Sequence, residues 1–333
     1  VEVFMSSPIV SIVIACRNEA SYIENCLRGF LRGSVREIEL LVVDGDSEDG
    51  SAALVERIAT TEDSRVRLLH NPARRTPMAF NAGIRAARGQ FIAIFGAHSV
   101  PAPNWVQANL AVLAAHPEAA AAGGLLRTVS HTFIGNAIAA ALSSPFGVGN
   151  VRFRVGGPPG PVDTVVFGCY RREVFARHGL FDESFLTNQD DEFNLRLVSR
   201  GETLYFDPAI QLDYNARPTW TKALEQYWRY GRYKLNVFRR NGQIGSWRQL
   251  APAAWTAFLL LGLLGAIFVP ALRLPALLGV AAYVAAGLVA MVAKVPQYGA
   301  ACLLFLPVAA SIHLAYGIGT WQGLFETGYT QRH

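Results

Sequence analysis

Charge is scarce in this chain, and scarcest toward its end. Only 17% of the 333 residues are charged, against about 25% in an average soluble domain. Between Ala251 and Gly323 the only full charges are Arg273 and Lys294, which excludes an ordinary solvated domain there. Cysteine is sparse too: Cys16, Cys26, Cys169 and Cys302 show no CxxC and no metal spacing, excluding a disulfide framework or a zinc ribbon. Cys16 and Cys302 sit in apolar runs and read as small buried hydrophobes; a reducing compartment suits them. No GxGxxG follows the first apolar run, which removes a dinucleotide-binding dehydrogenase from consideration. No basic leader precedes the apolar stretch VEVFMSSPIVSIVIAC, so it is expected to be a strand rather than an export signal or a membrane span.

What is abundant is apolar residue, 51% of the chain, with a mean hydropathy of +0.24. That excludes disorder and a collagen-like chain and disfavours a wholly soluble enzyme. A net charge of +5 is a mild excess, compatible with a membrane surface or an anionic substrate.

The first hundred residues alternate two patterns. Ile9 to Ala15, Glu39 to Val43, Val66 to Leu69 and Gln90 to Phe95 are apolar, β-branched runs of the kind buried in a parallel sheet. Ser21 to Leu31, Ser51 to Ala59 and Pro77 to Ala87 read as helices between them, and the Ala-rich run Ala111 to Ala122 reads as helix. Strands alternating with helices predict βαβ units with ligands beyond the carboxyl ends of the strands.

From Trp220 to Trp247 basic and aromatic residues interleave, including Lys222, Arg229, Arg232, Lys234, Arg239, Arg240, Trp228 and Tyr230, with only Glu225 acidic. Such a stretch suits a membrane interface better than nucleic acid, since nothing else resembles a nucleic-acid module. Three apolar spans follow, Pro252 to Pro270, Pro275 to Ala293 and Gly299 to about Gly319, each near the ~20 residues that cross a bilayer core as a helix. The basic flank before them, Arg239, Arg240 and Arg248, predicts that the globular part is cytoplasmic.

Four clusters carry chemistry. Asp44, Asp46 and Asp49 follow the second strand; they suit hydrogen bonds to a nucleobase or ribose, or equally a solvated turn. Arg74 and Arg75 offer guanidinium forks to a diphosphate, unless they are ordinary surface arginines. His98 ends the fourth strand, as a metal ligand or as a structural histidine. Gln189-Asp190-Asp191-Glu192 opens a helix expected over Glu192 to Arg200. It is either a charged helix start or the seat of a general base, with Arg196 one to two turns on as an orienting partner.

In this order, SIVIACRNEASYIENCL, ELLVVDGDSEDGS, NPARRTPMAFNAGIRAARG, FGAHSVP, ALSSPFGVGN, GPVDTVVFGCYRREVF, GLFDESFLTNQDDEFNLRL and QYWRYGRYK resemble the family 2 glycosyltransferases, and among them the ExoA-like succinoglycan-biosynthesis branch. The resemblance covers about Ile9 to Leu250. It implies an α/β GT-A fold: a Rossmann-like, mostly parallel sheet with flanking helices, then an interfacial amphipathic region and C-terminal transmembrane helices. The domains implied are a cytoplasmic catalytic domain over 1–215, interfacial helices over 216–250, three transmembrane helices over 251–320 and a tail over 321–333.

The activity implied is inverting transfer of a hexose, glucose first among the candidates, from a UDP-sugar to a polyprenyl-diphosphate-linked saccharide, at the inner (cytoplasmic) membrane and among its lipids. A processive polysaccharide synthase and a silent membrane scaffold are the alternatives. The family pattern assigns Ala15, Arg17, Glu19, Asp44, Asp46, Arg75 and Ala97 to the nucleotide sugar and Asp190 to the general base. Asp191, Gln226, Arg229 and Tyr230 fall to the acceptor and diphosphate, the last three as a shortened Gln-x-x-Arg-Trp motif. His98 falls to a divalent cation, Mg2+ or Mn2+. Two positions depart from the pattern: Gln189 stands where the family has Glu, and Gly96 where the metal motif opens with Asp.

Overall fold

The computed structural model describes residues 7–216 and 219–326. Its first compact unit joins the chain up to Arg127 with Gly156–Tyr214. Nine strands form one sheet: β1 Val10–Cys16, β2 Ile38–Asp44, β3 Val66–His70, β4 Phe91–Gly96, β5 Ser99–Pro101, β6 Ala119–Val129, β7 Gly160–Val162, β8 Cys169–Arg171 and β9 Thr203–Asn215. Their order is β3-β2-β1-β4-β8-β6-β9-β5, with β7 beside β9. β1 to β4 pair in parallel, and β4 with β8, β6 with β8, and β9 with both β5 and β7 pair antiparallel.

The apolar runs become the parallel strands because both of their faces are covered: every residue of β2 is buried, and all but Ala15 of β1. The chain steps outward from β1 to β3 and then returns to the other side of β1 as β4. Strand order therefore reverses between β1 and β4, and in open sheets of this kind ligands bind beyond the carboxyl ends at such a reversal. One sheet face packs Phe30, Phe95 and Trp105 edge to face, with ring centroids 4.8–5.7 Å apart.

The sequence reading places β1 to β4 and the three helices between them within one or two residues, and one reading is corrected. The run Ala111 to Ala122 is not one helix. Helix Trp105–Ala115 stops ahead of Pro117, whose ring disfavours helical backbone in the residue before it, and Ala119 opens β6. Ala121 and Ala122 lie opposite Tyr170 and Cys169, where β6 is fully buried. Of the N-terminal stretch expected as a strand, Val10–Cys16 is one, and residues 1–6 lie outside the described residues.

The second unit joins Thr128–Val155 to the chain from Asn215 onward. Helix Phe133–Leu142, within the span expected to be catalytic, thus packs with the apolar C-terminal helices, burying Ala137, Ile138 and Ala141 against Phe305, Val308 and Ile312. The basic-aromatic stretch is one helix, Trp220–Asn241, capped by the Thr219 hydroxyl. It lies directly against helix Phe305–Phe325 because three glycines let the backbones touch: Gly231 faces the Tyr316 carbonyl, Gly319 that of Trp228, and Gly323 that of Arg232. A side chain at Gly319 must push the helices apart. Gly319→Val is expected to cost about 1–3 kcal/mol, read as a lower unfolding midpoint in detergent; an unchanged midpoint would show that the helices do not meet there.

Two helical runs, Trp247–Phe268 of 22 residues and Pro270–Phe325 of 56, are long and apolar enough to cross a membrane. The longer one far exceeds the ~20 residues of a single crossing, and Gly299 at φ +54° breaks it into Arg273–Tyr298 and Phe305–Phe325. Leu261, Phe268, Val289 and Leu303 are each at least 73% exposed. His313 is paired through both ring nitrogens. His313 Nε2 donates to the Gly147 carbonyl at 3.0 Å and Nδ1 accepts from the Tyr283 hydroxyl at 2.8 Å, as a low-dielectric setting requires.

Candidate active site

Strand register sets the site. Cys16 pairs with Asp44, Ala15 with Gly96, and Asp44 with His70, so the residues following β1, β2 and β4 share one edge. The loops there interlock. Asp44, 4% exposed, accepts from the Ser47 amide at 3.0 Å and the Ser47 hydroxyl at 2.5 Å. The Asn18 amide donates to Ser47 Oγ at 2.9 Å, and Asn18 Oδ1 accepts from the Glu48 amide at 2.8 Å. Asp49 accepts from the Ala20 amide at 2.9 Å and from Ser51. The Ser51 hydroxyl first, then these amides, hold its carboxyl below the usual range. Asn18 at φ +55° and Asp46 at φ +53° are left-handed, a state that asparagine and aspartate tolerate best. Cys16 lies at the same edge but is no nucleophile: burial above all, and then the Asp44 carboxylate, push its thiol up to about 12.

Basic groups end and follow β3 at the same edge. Asp46 accepts from Arg74 Nε at 3.0 Å and lies 3.3 Å from His70 Nε2. Arg17 reaches the Arg74 carbonyl at 3.5 Å. Asn71 donates to the Arg75 carbonyl at 3.0 Å, fixing that backbone. Between the two arginines open to a diphosphate in the sequence, Arg74 is committed to Asp46. Arg75 is half-buried and its guanidinium has no partner among the described residues.

His98 follows β4, with Nδ1 3.2 Å from Glu19 Oε1 and its ring edge-on to Tyr214 at 5.0 Å. Ala97 is 1% exposed. Gly96 brings no carboxylate, and its place is filled: a Cβ there would lie 3.1 Å from the Phe167 ring and 3.4 Å from His98 Cε1. Among the described residues no three His, Cys, Asp or Glu side chains gather around a common point. One imidazole with one carboxylate fits a divalent ion that takes its remaining ligands from phosphate and water, as Mg2+ usually does.

The helix expected over Glu192 to Arg200 begins earlier, as Gln189–Ser199, and so holds Asp190, Asp191 and Glu192 in its first turn. The helix dipole favours all three there. Arg196, read as a partner for the base, is instead bound to Glu192 at 2.7 Å and to the His178 and Leu180 carbonyls. Glu192 is 2% exposed, and burying it requires that cation. Asn81 brackets the approach to the helix, exchanging hydrogen bonds with the backbone of Phe181 at 2.9 and 3.0 Å.

Asn194, one turn beyond Asp190, escaped the sequence reading. It donates to Thr164 Oγ1 at 2.9 Å and the Val165 carbonyl at 2.7 Å, and accepts from the Tyr170 hydroxyl at 3.2 Å. Burial first, then the charge of Asp190, raise the Tyr170 phenol well above its usual range. Asp190 therefore lies close to the segment 164–170. Gln226, Arg229 and Tyr230 belong to helix Trp220–Asn241 of the second unit. Gln226 is buried and donates to the Tyr230 hydroxyl at 2.6 Å, and Arg229 is exposed.

Residues 11–179 match the family model described as glycosyl transferase family 2. The chain is 30% identical to the succinoglycan biosynthesis protein ExoA of Rhizobium meliloti (strain 1021), over 95% of this chain and 94% of that protein. It is also 30% identical to the dolichyl N-acetyl-alpha-D-glucosaminyl phosphate 3-beta-D-2,3-diacetamido-2,3-dideoxy-beta-D-glucuronosyltransferase of Methanococcus voltae, over 69% of this chain and 74% of that one. Among solved structures, the mannosyltransferase PcManGT of Pyrobaculum calidifontis in complex with GDP-Man and Mn2+ superposes with a TM-score of 0.61 at 19% identity, covering 95% of this chain and 88% of that chain. TarS 1-349 of S. aureus in complex with UDP does so with a TM-score of 0.52 at 13% identity, covering 75% and 71%. The fold is GT-A.

Proposed function

The chain belongs to glycosyl transferase family 2, and on that premise we propose a membrane-anchored, inverting hexosyltransferase. It moves a hexose, glucose first among the candidates, from a UDP-sugar to a polyprenyl-diphosphate-linked saccharide in exopolysaccharide or glycolipid synthesis. One observation carries this reading: Asp44, Arg75 and the His98–Glu19 pair lie at the shared edge that follows β1 to β4, and Asp190 stands in the first turn of a separate helix. Donor-holding groups and a base are thus supplied by different elements, as a two-substrate displacement needs.

Asp44, held by Ser47, accepts from the base or ribose of the donor, with Ala15, Arg17, Asp46 and Ala97 around it. Arg75 meets the diphosphate. Asp190 takes the proton of the acceptor hydroxyl as its oxygen attacks the anomeric carbon, and the bond from that carbon to the UDP oxygen breaks on the opposite face, inverting the centre. Asp191 and the Gln226, Arg229 and Tyr230 set serve the acceptor and its diphosphate. His98, beside Glu19, would hold Mg2+ or Mn2+, which when bound offsets the charge developing on the departing UDP.

The ExoA name supports a polysaccharide product, the M. voltae name an acceptor that is a dolichyl phosphate-linked sugar, and the UDP in the TarS complex a UDP donor. Three membrane crossings over 251–320, with the catalytic part cytoplasmic, agree with the two apolar runs, the break at Gly299 and the basic flank before them. Purified in detergent, the protein is expected to be stabilised against heat by UDP-glucose. With a lipid-linked saccharide and Mg2+ or Mn2+ it should release UDP and form a product of inverted anomeric configuration by NMR. A chain stabilised by no nucleotide sugar, and releasing no UDP, would be a scaffold instead.

A further inference from the structure

Phe167 holds a backbone conformation that its side chain opposes. Its φ is +49°, a left-handed state that is an outlier for a bulky residue, although Gly168, which would adopt it freely, stands next in the chain. Such strain persists only where the surroundings impose it. Here they do, on both sides. The Gly168 carbonyl accepts from the Ile94 amide of β4 at 3.0 Å. On the other side Asn194 clamps Thr164 and Val165 to the helix that carries Asp190 in its first turn.

The ring that this backbone presents is half-buried. It rests on Phe95, centroids 5.0 Å apart, and occupies the space that Gly96 leaves beside His98. Phe167 thereby belongs to a segment tied at one end to β4, the strand that His98 follows, and at the other to the helix carrying Asp190. In a displacement at an anomeric carbon, the transferred sugar must lie between the groups that hold the leaving diphosphate and the base that faces the acceptor.

We infer that the Phe167 ring, seated over Gly96, forms the floor of the subsite for the transferred sugar and helps set which sugar the enzyme accepts. The carbon–hydrogen face of a pyranose is apolar and slightly positive, and it matches the negative face of an aromatic ring. The inference rests on the reading of the chain as a UDP-sugar transferase. Phe167 is a binding residue in it, and Gly96 is a positioning residue acting through the ring.

The test compares UDP with UDP-glucose by calorimetry on the full chain in detergent. UDP lacks the sugar, so a floor under the sugar alters only the second affinity. Phe167→Leu is expected to weaken UDP-glucose about tenfold and to leave UDP unchanged, and Phe167→Tyr, which keeps the ring, to restore the difference. Gly96→Ala, whose methyl displaces the ring without removing it, is expected to act in the same direction and serves if Phe167→Leu does not fold. Equal loss of both ligands in these variants, or loss of neither, would overturn the inference while leaving the proposed activity intact. A wild-type protein that binds UDP but shows no added affinity for UDP-glucose also overturns it. Wild-type protein that binds neither ligand removes the donor assignment itself, and this inference with it.

Discussion

Replacing Asp190 with asparagine is expected to lower turnover by roughly 10²–10⁴-fold, the usual contribution of a general base, and to leave donor affinity near that of the wild type. The substitution keeps the size of the side chain and its place in the first turn of helix Gln189–Ser199. What it removes is the capacity to accept a proton. The neighbouring carboxylates cannot take over. Glu192 is committed to Arg196 at 2.7 Å and 2% exposed, and Asp191 leaves the helix about 100° around its axis from Asp190. The measurement is UDP release at saturating donor and acceptor, with donor binding measured separately. An intact rate in Asp190→Asn would sink the assignment. A parallel fall in donor affinity would mean that Asp190 holds the donor rather than the acceptor hydroxyl.

The parallel half of the fold was legible because burial on both faces leaves an unbroken apolar signature, as in VSIVIAC and IELLVVD. The edge carrying Asp44, Arg75 and His98 was legible for a related reason, since polar residues follow those strands directly. The limits were equally physical. An alanine run has no period of its own, so Ala119–Ala122 looked helical until its partners in β8 made it a strand. Segment Thr128–Val155 looked like part of the catalytic stretch because its helix is apolar and short, and only packing assigns it to the unit with Phe305 and Ile312. Phe167 left no trace at all. A left-handed phenylalanine is invisible in a sequence, and Gly96 registered as a missing carboxylate rather than as room for a ring. Asn194 was hidden among helix-interior residues, where an asparagine gives no sign of three tertiary hydrogen bonds.

Glu39→Ala is expected to destabilise the protein by about 1–3 kcal/mol, the cost of leaving buried hydrogen-bond donors without their acceptor. Glu39 is 1% exposed in β2, opposite Ser11 of β1. It accepts from the Ser11 hydroxyl and the Arg88 amide at 2.7 Å, from Arg88 Nε at 3.0 Å and from Arg67 at 3.2 Å. Truncation leaves the buried Ser11 hydroxyl and the Arg88 amide without this acceptor at the amino ends of the parallel strands, whereas the Arg67 and Arg88 guanidiniums, 39% and 61% exposed, turn to water. Burial alone would raise the carboxyl, but the hydrogen bonds from Ser11 and Arg88, with the Arg88 charge, outweigh it and hold Glu39 below its usual range. A carboxyl depressed by folding stabilises fully above its unfolded value of about 4.3. That contribution is lost as pH falls through the lower, folded value. The unfolding midpoint of the wild type should therefore fall on acidification below about pH 5, and more steeply than that of Glu39→Gln, which cannot titrate there. Asp49 and Asp63 are also depressed, but they are common to both proteins and cancel in the difference; equal slopes would refute the role of Glu39. Five residues of strand, about 16 Å, separate Glu39 from Asp44. UDP affinity in Glu39→Gln should consequently match the wild type wherever the variant is folded, which separates what holds the sheet together from what the opposite edge binds.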